Sequence, residues 1–170
     1  MIYMDIETTG FDGSKFEIIE IYMLKEDADG NKIDEMHYFF KPSKTLDLKI
    51  IEITKLTDDF LKDKPKFKDH INDIVNFISN ETLVGHNIVS FDLRFLNDNL
   101  SQYNCKTLNN KTIDTMVMAR EVDNVGKFTK GYKLIDLAIK YNIKFDNNKL
   151  HGAKYDTLIT KEIYKNLKDK

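Results

Sequence analysis

Met1-Ile-Tyr-Met-Asp-Ile-Glu-Thr-Thr-Gly10 is an apolar run interrupted by two acids and closed by a turn signal. The pattern predicts a buried central strand over residues 2–7. Side chains alternate faces along a strand, so Asp5 and Glu7 point the same way. Two like charges side by side in a poorly solvated place repel each other and resist ionisation. A divalent metal ion is the simplest compensation. Whatever the chain does, this pair is where the chemistry starts.

Outward from that run, Glu17 to Lys25 reads as a second strand and Asp27-Ala-Asp-Gly-Asn31 as a turn. Lys32 to Lys41 is a third strand, stopped by Pro42, and the short links imply an antiparallel meander. The period then changes. Phe67, Ile71, Ile74, Val75 and Ile78 recur at helical spacing. Thr82 to Gly85 is a short strand, a helix opens at Ser90 or Phe91, and Lys111 to Asp114 makes a fifth strand. Asp114 is placed to cap a helix over Thr115 to Glu121. Residues 122–131 read as a loop, Leu134 to Tyr141 as a helix, and Ala153 to Leu167 as the last. Strands first, then helices alternating with strands, predict an α/β fold: a mixed five-stranded sheet flanked by helices.

A chain of 170 residues with 41% hydrophobic and 32% charged residues is expected to form one domain, 1–170, with a sizeable core. A net charge of −2 announces no global basic field, although a metal can supply the positive charge a phosphate needs. Cys105 is the only cysteine, which excludes an internal disulfide and points to a reducing, cytoplasmic setting. No stretch is apolar enough to span a bilayer, and Met1 leads straight into the acidic strand without a secretory segment.

Two later acids repeat the anomaly of the first pair. Ile159, Ile163 and Leu167 define an apolar stripe on the last helix, and Asp156 lies on it, three residues before Ile159. Asp92 has Phe95 and Leu96 at +3 and +4 on its own helix face. For Asp92 a capping role is an equal reading; Asp156 stands several residues beyond a start at Gly152. His151 belongs to the loop entering that helix, where it can lean over the same site as a mobile proton acceptor. His37, inside a strand, and His70, on a polar helix face, read as structural.

Asp5-Ile-Glu-Thr-Thr-Gly10, Gly85-His-Asn with Phe91-Asp92, and His151-Gly-Ala-Lys-Tyr-Asp156 resemble the three exonuclease motifs of the DEDDh 3′→5′ exonuclease superfamily. Within it, the chain is similar to the proofreading epsilon subunit or exonuclease domain of bacterial DNA polymerase III. Ile18-Ile-Glu-Ile21, Leu56-Thr-Asp-Asp-Phe-Leu61, Ile113-Asp-Thr115 and the helix around Leu134 extend the likeness to nearly the whole chain. The resemblance implies a ribonuclease H-like fold. It also implies two Mg²⁺ ions, replaceable by Mn²⁺, about 3.5–4 Å apart on the four carboxylates. Asp5 would bridge both ions, with Glu7 and Asp156 completing one and Asp92 supporting the other. His151 would take the proton from the attacking water, and nucleoside 5′-monophosphates would leave one at a time.

The resemblance further implies that Thr8, Thr9, Gly10, Thr54, His86, Asn87 and Phe91 meet the 3′-terminal nucleotide of a single-stranded or frayed DNA end. Three positions depart from the family. Lys55 stands where glycine is usual, Lys49 where some relatives have an acid, and Tyr22 where a small residue is common. A 3′→5′ RNA exonuclease is the rival within the superfamily, since the metals act on phosphate and ignore the sugar. A degenerate nuclease fold that only binds a partner is the rival from another class, and a structural calcium site would gain nothing from His151. A replicative polymerase is an expected partner. The last residues show no clamp-binding peptide, and stand-alone enzyme, docked subunit and excised domain stay equally open.

Overall fold

A computed structural model describes residues 1–170. The opening run forms β1, Ile2–Thr8, at the centre of a five-stranded sheet. β2, Ile18–Glu26, and β3, Lys32–Phe39, pair antiparallel in sequence on one side of it. β4, Leu83–Gly85, and β5, Thr112–Asp114, add in parallel on the other side, giving the order β3-β2-β1-β4-β5. The antiparallel meander and the mixed sheet are as the sequence predicts. β1 is largely buried on both faces because helices cover both.

The two faces divide the core. Ile2, Met4 and Ile6 point to one face and join Ile21, Met23 and Phe40. α3, Ile71–Ile78, and α4, Asp92–Gln102, cover that side with Ile74, Ile78, Phe95, Leu96 and Leu100. A 3-10 turn, Phe67–His70, leads into α3. Tyr3 points to the opposite face, with Tyr22, Leu24, Val84 and Ala153. There the long helix α7, Ala153–Leu167, lies along β1 and β2. Behind it pack α5, Thr115–Val122, and α6, Leu134–Lys140, around Ala119, Leu137, Ile159 and Ile163. Burying each of these aliphatic side chains contributes about 2 kcal/mol.

Between Pro42 and Phe67 the sequence reading names no element, yet the structure has two short helices. α1 is Leu48–Thr54, capped by the Asp47 carboxylate, and α2 is Asp58–Leu61, capped by Thr57. Elements of one or two turns are too short for hydrophobic periodicity to show. They hold together through Ile19, Leu46 and Leu61. Lys55 ends α1 in the left-handed conformation, φ 62° and ψ 5°. That backbone requirement explains why glycine is usual there. No helix is long and apolar enough to cross a membrane.

Candidate active site

Asp5 and Glu7 leave β1 on the face covered by α7, as their spacing demands. Antiparallel pairing sets Asp5 opposite Tyr22 and Glu7 opposite Glu20. Opposed residues on such a pair share a face. Tyr22 is fully buried and walls Asp5 on the β2 side; its hydroxyl donates to Glu35 Oε2 at 2.5 Å. The register shifts after Glu7, so the chain kinks where the strand gives way to the Thr8-Thr9-Gly10 turn.

The other two acids arrive from helix starts. Asp92 is the first residue of α4 and is 2% exposed. Its Oδ1 accepts the Ile6 N–H at 3.2 Å, tying the helix start to β1 between the first two acids. The N-cap position belongs to Phe91, and Asp92 is not the capping residue. Asp156 lies in the first turn of α7, buried, with Oδ2 accepting the His151 N–H at 3.2 Å. Its Oδ1 is buried without any partner. A buried carboxylate oxygen with no partner is costly unless a cation meets it.

His151 is exposed and sits at φ 61°, a sharp turn just ahead of Gly152. One ring nitrogen and one carboxylate oxygen each from Glu7 and Asp156 lie within 4.8 Å of one another. The loop therefore brings His151 over the acids without burying it.

Without a cation the four acids resist ionisation more than free carboxylates do. Burial raises Asp5 well above the usual carboxylate range, and Asp92, Glu7, Asp156 and Glu20 push it further. Burial does the same to Glu7, reinforced by Asp156, Glu20 and Asp92. Asp92 is pushed up to about 7 by burial, partly offset by the N–H groups it accepts. Asp156 is pushed up to about 6, again by burial. No lysine or arginine forms an ion pair with any of the four. The donor set is all oxygen and hard, which suits a divalent ion of the Mg²⁺ or Mn²⁺ kind.

The residues expected to meet a nucleotide are placed as follows. Thr8 is buried, and its hydroxyl donates to the Gly10 carbonyl at 2.6 Å, closing the turn. Thr9 Oγ1 accepts the Glu17 N–H. A Cβ on Gly10 would meet the Phe16 ring at 2.5–2.7 Å, so only glycine lets that ring lie on the turn. Asn87, at φ 62°, gives its N–H to Asp114 Oδ1, which also caps α5. His86 is mostly buried; its Nδ1 meets Thr115 Oγ1 at 3.0 Å and burial lowers its pKa to about 4. Its ring is neutral and braces the loop after β4. Phe91 immediately precedes Asp92 and packs on Phe95. Thr54 is the most self-contained. Its hydroxyl donates to the Ile50 carbonyl and accepts the Leu56 N–H.

Two residues of the cluster escape the sequence reading. Glu20 is 4% exposed, and His37 Nε2 lies 2.7 Å from its Oε1. The signal for Glu20 is the one that picks out Asp5, an acid inside an apolar run, Ile18-Ile-Glu-Ile21. His37 reads as a structural strand residue because its partner comes from the neighbouring strand. His70 is half-buried and structural, paired with Asp73 and stacked on Tyr38.

Comparison with known proteins places this geometry. The exonuclease family (RNase_T) matches residues 2–164. The chain is 34% identical over 171 residues to the DNA polymerase III subunit epsilon of Rickettsia prowazekii, covering 96% of itself and 71% of that subunit. It is 31% identical over 163 residues to the PolC-type DNA polymerase III of Mycoplasma genitalium, covering 96% of itself but only 11% of that polymerase. Among solved structures, Exonuclease X in complex with 5′ overhanging duplex DNA superposes with a TM-score of 0.73 at 24% identity, over 99% of this chain and 90% of that one. A 3′-exonuclease that recognises the histone mRNA stem-loop superposes with a TM-score of 0.82 at 18% identity, over 99% of this chain and 63% of that one. Those two likenesses establish the ribonuclease H-like fold. With the family matched almost end to end and the acids of all three motifs gathered at one end of the sheet, the chain belongs to the exonuclease family.

Proposed function

We propose that the chain is a metal-dependent 3′→5′ DNA exonuclease that releases nucleoside 5′-monophosphates and proofreads in DNA replication. The observation that carries the reading is the convergence of Asp5, Glu7, Asp92 and Asp156 with an exposed His151 at their edge. Their all-oxygen donor set and the orphaned Asp156 Oδ1 fit divalent ions, Mg²⁺ first and Mn²⁺ in its place. Asp5, Glu7, Asp92 and Asp156 would together hold the ions. When bound, the ions supply the positive charge that the acids lack and that a phosphodiester needs.

The remaining work falls to side chains. His151 accepts the proton of the attacking water as the oxygen adds to phosphorus, and the P–O3′ bond breaks in line with it. Its exposure and its left-handed loop leave it free to adjust to the terminal phosphate. The Thr8-Thr9-Gly10 turn, held by its own hydrogen bonds and by Phe16, presents a fixed wall to the terminal nucleotide. Asn87 and Phe91 form the wall on the β4 side, braced by Asp114 and His86. Similarity to an epsilon subunit and to a PolC-type polymerase supports a replicative DNA polymerase as partner and a cytoplasmic setting.

The test is shortening of 5′-labelled single-stranded DNA in Mg²⁺ or Mn²⁺, one nucleotide at a time, stopped by EDTA. Inertness with both metals sinks the reading. A matched RNA oligonucleotide run in parallel decides the sugar, and His151→Ala should lower turnover by roughly 10²–10⁴-fold.

A further inference from the structure

A cleft of about 540 Å³ opens beside the acids, reaching Thr9 but lined by none of the four. Its walls are Thr9 with the stretch from Lys15 to Ile18, the segment 41–47 after β3, the turn before α3 and the C-terminal end of α4. Five lysines line it, Lys15, Lys41, Lys44, Lys66 and Lys68, against two acids, Glu17 and Asp47. Both acids are already engaged. Glu17 Oε2 accepts the Ser43 N–H and hydroxyl at 2.8 and 2.7 Å, and Asp47 caps α1. Lys15 pairs with Asp12, while Lys41, Lys44, Lys66 and Lys68 make no ion pair. A shallower groove of about 260 Å³ shares Lys41 and Lys44 and continues the band to Lys62.

Unpaired lysines gathered in a concavity repel one another, and in a chain of net charge −2 they do not follow from bulk composition. Such a cleft attracts anions. The chemistry of the lining narrows the class. There is no arginine fork for a single planar anion; instead flexible point charges are spread along the groove, as repeated phosphates require. Phe16 and Tyr103, 39% and 42% exposed, stand in the same walls and offer faces on which bases stack. Thr9 lies at the edge of the cleft and follows Glu7 by two residues, about 7 Å of extended chain.

We propose that this cleft holds the phosphodiester backbone of a single strand, upstream of the nucleotide at the acids. The proposal rests on the reading that the acids process a nucleic-acid 3′ end. It accounts for how an acidic site on a weakly acidic protein retains a polyanion: bound cations serve one phosphate and the lysines serve those behind it.

The experiment uses the full chain carrying Lys41→Gln, Lys44→Gln, Lys66→Gln and Lys68→Gln together. All four side chains are exposed and none belongs to the acid site, so melting should be unchanged. Fluorescence anisotropy with labelled dT12 in Ca²⁺ should show affinity falling about tenfold or more. The slope of log K against log salt should shrink by about 2–3, given roughly 0.7 per phosphate contact on single strands. In Mn²⁺ the KM for dT12 should rise, while kcat/KM for the dinucleotide dTdT, which has no phosphate upstream of the scissile one, stays the same. Unchanged dT12 affinity and salt slope overturn the proposal, as does an equal loss on dTdT. Saturable dTMP binding that the four substitutions abolish, with dT12 affinity retained, makes the cleft a mononucleotide pocket and also overturns it. Weakened dT12 binding by a protein that cleaves nothing upholds the cleft and overturns the exonuclease reading instead.

Discussion

Glu20 faces Glu7 directly across the β1–β2 pair, and its carboxylate is held by His37 at 2.7 Å. A fifth acid therefore belongs to the electrostatics of the site, where it raises the proton affinity of Asp5 and Glu7. Glu20→Gln keeps a partner for His37 and removes the charge. It should weaken Mn²⁺ binding by about 1 kcal/mol, roughly fivefold, as expected for one charge acting across a partly buried gap. Calorimetric titration with Mn²⁺ checks this, and an unchanged affinity would show that Glu20 serves the strand and not the site.

Asp5 sits at the centre of the repulsion. Asp5→Asn should cut turnover at least about a thousandfold, because the carboxylate that the other acids surround would no longer be there to hold a cation. The same change relieves like-charge repulsion, so the metal-free variant should melt at or above the parent temperature. Exonuclease assays and thermal unfolding in EDTA test the two halves separately. Near-parental turnover would move the site elsewhere.

The raised carboxylates make metal-free stability depend on pH in a defined direction. Asp156 titrates at about 6 and Asp92 at about 7 in the folded chain, against 3.8 without its influence, and Asp5 and Glu7 are also raised. The folded state thus binds more protons than the unfolded one between about pH 4 and 7. Stability is fully present below that window and is lost as pH rises through the folded-state values. Melting in EDTA should fall by several degrees from pH 5 to pH 8. Saturating Mn²⁺ should reverse much of the loss at pH 8 and little at pH 5.

Lys55 adopts φ 62° at the end of α1, where a side chain is strained. Its Nζ donates to the Glu52 carbonyl at 2.6 Å, a local and exposed contact. Lys55→Gly removes the strain but frees the unfolded chain. The balance should stabilise the protein by about 0.5–1 kcal/mol, near 2 °C in Tm. A fall in Tm would assign the lysine a structural role that its contacts do not show.

Much of this protein is written locally. The alternation around Asp5 and Glu7, the turn at Asp27–Asn31 and the four-residue stripe ending at Leu167 each declare an element and its buried face within a few residues. Asp92 and Asp156 are legible for the same reason, as polar residues on faces that must be apolar. The short helices α1 and α2 are not, because their stability comes from Ile19 and Leu61, far apart in the chain.

The sequence by itself determined the strands and longer helices and marked Asp5, Glu7, Asp92 and Asp156 as acids on buried faces, since periodicity within one element decides which way each side chain points. Only the tertiary structure decided what surrounds them. Pairing register put Glu20 against Glu7 and His37 against Glu20. Packing of three loops on the end of α4 collected lysines from separate segments into one cleft. Both depend on contacts between residues distant in sequence, and no local pattern encodes how two elements meet.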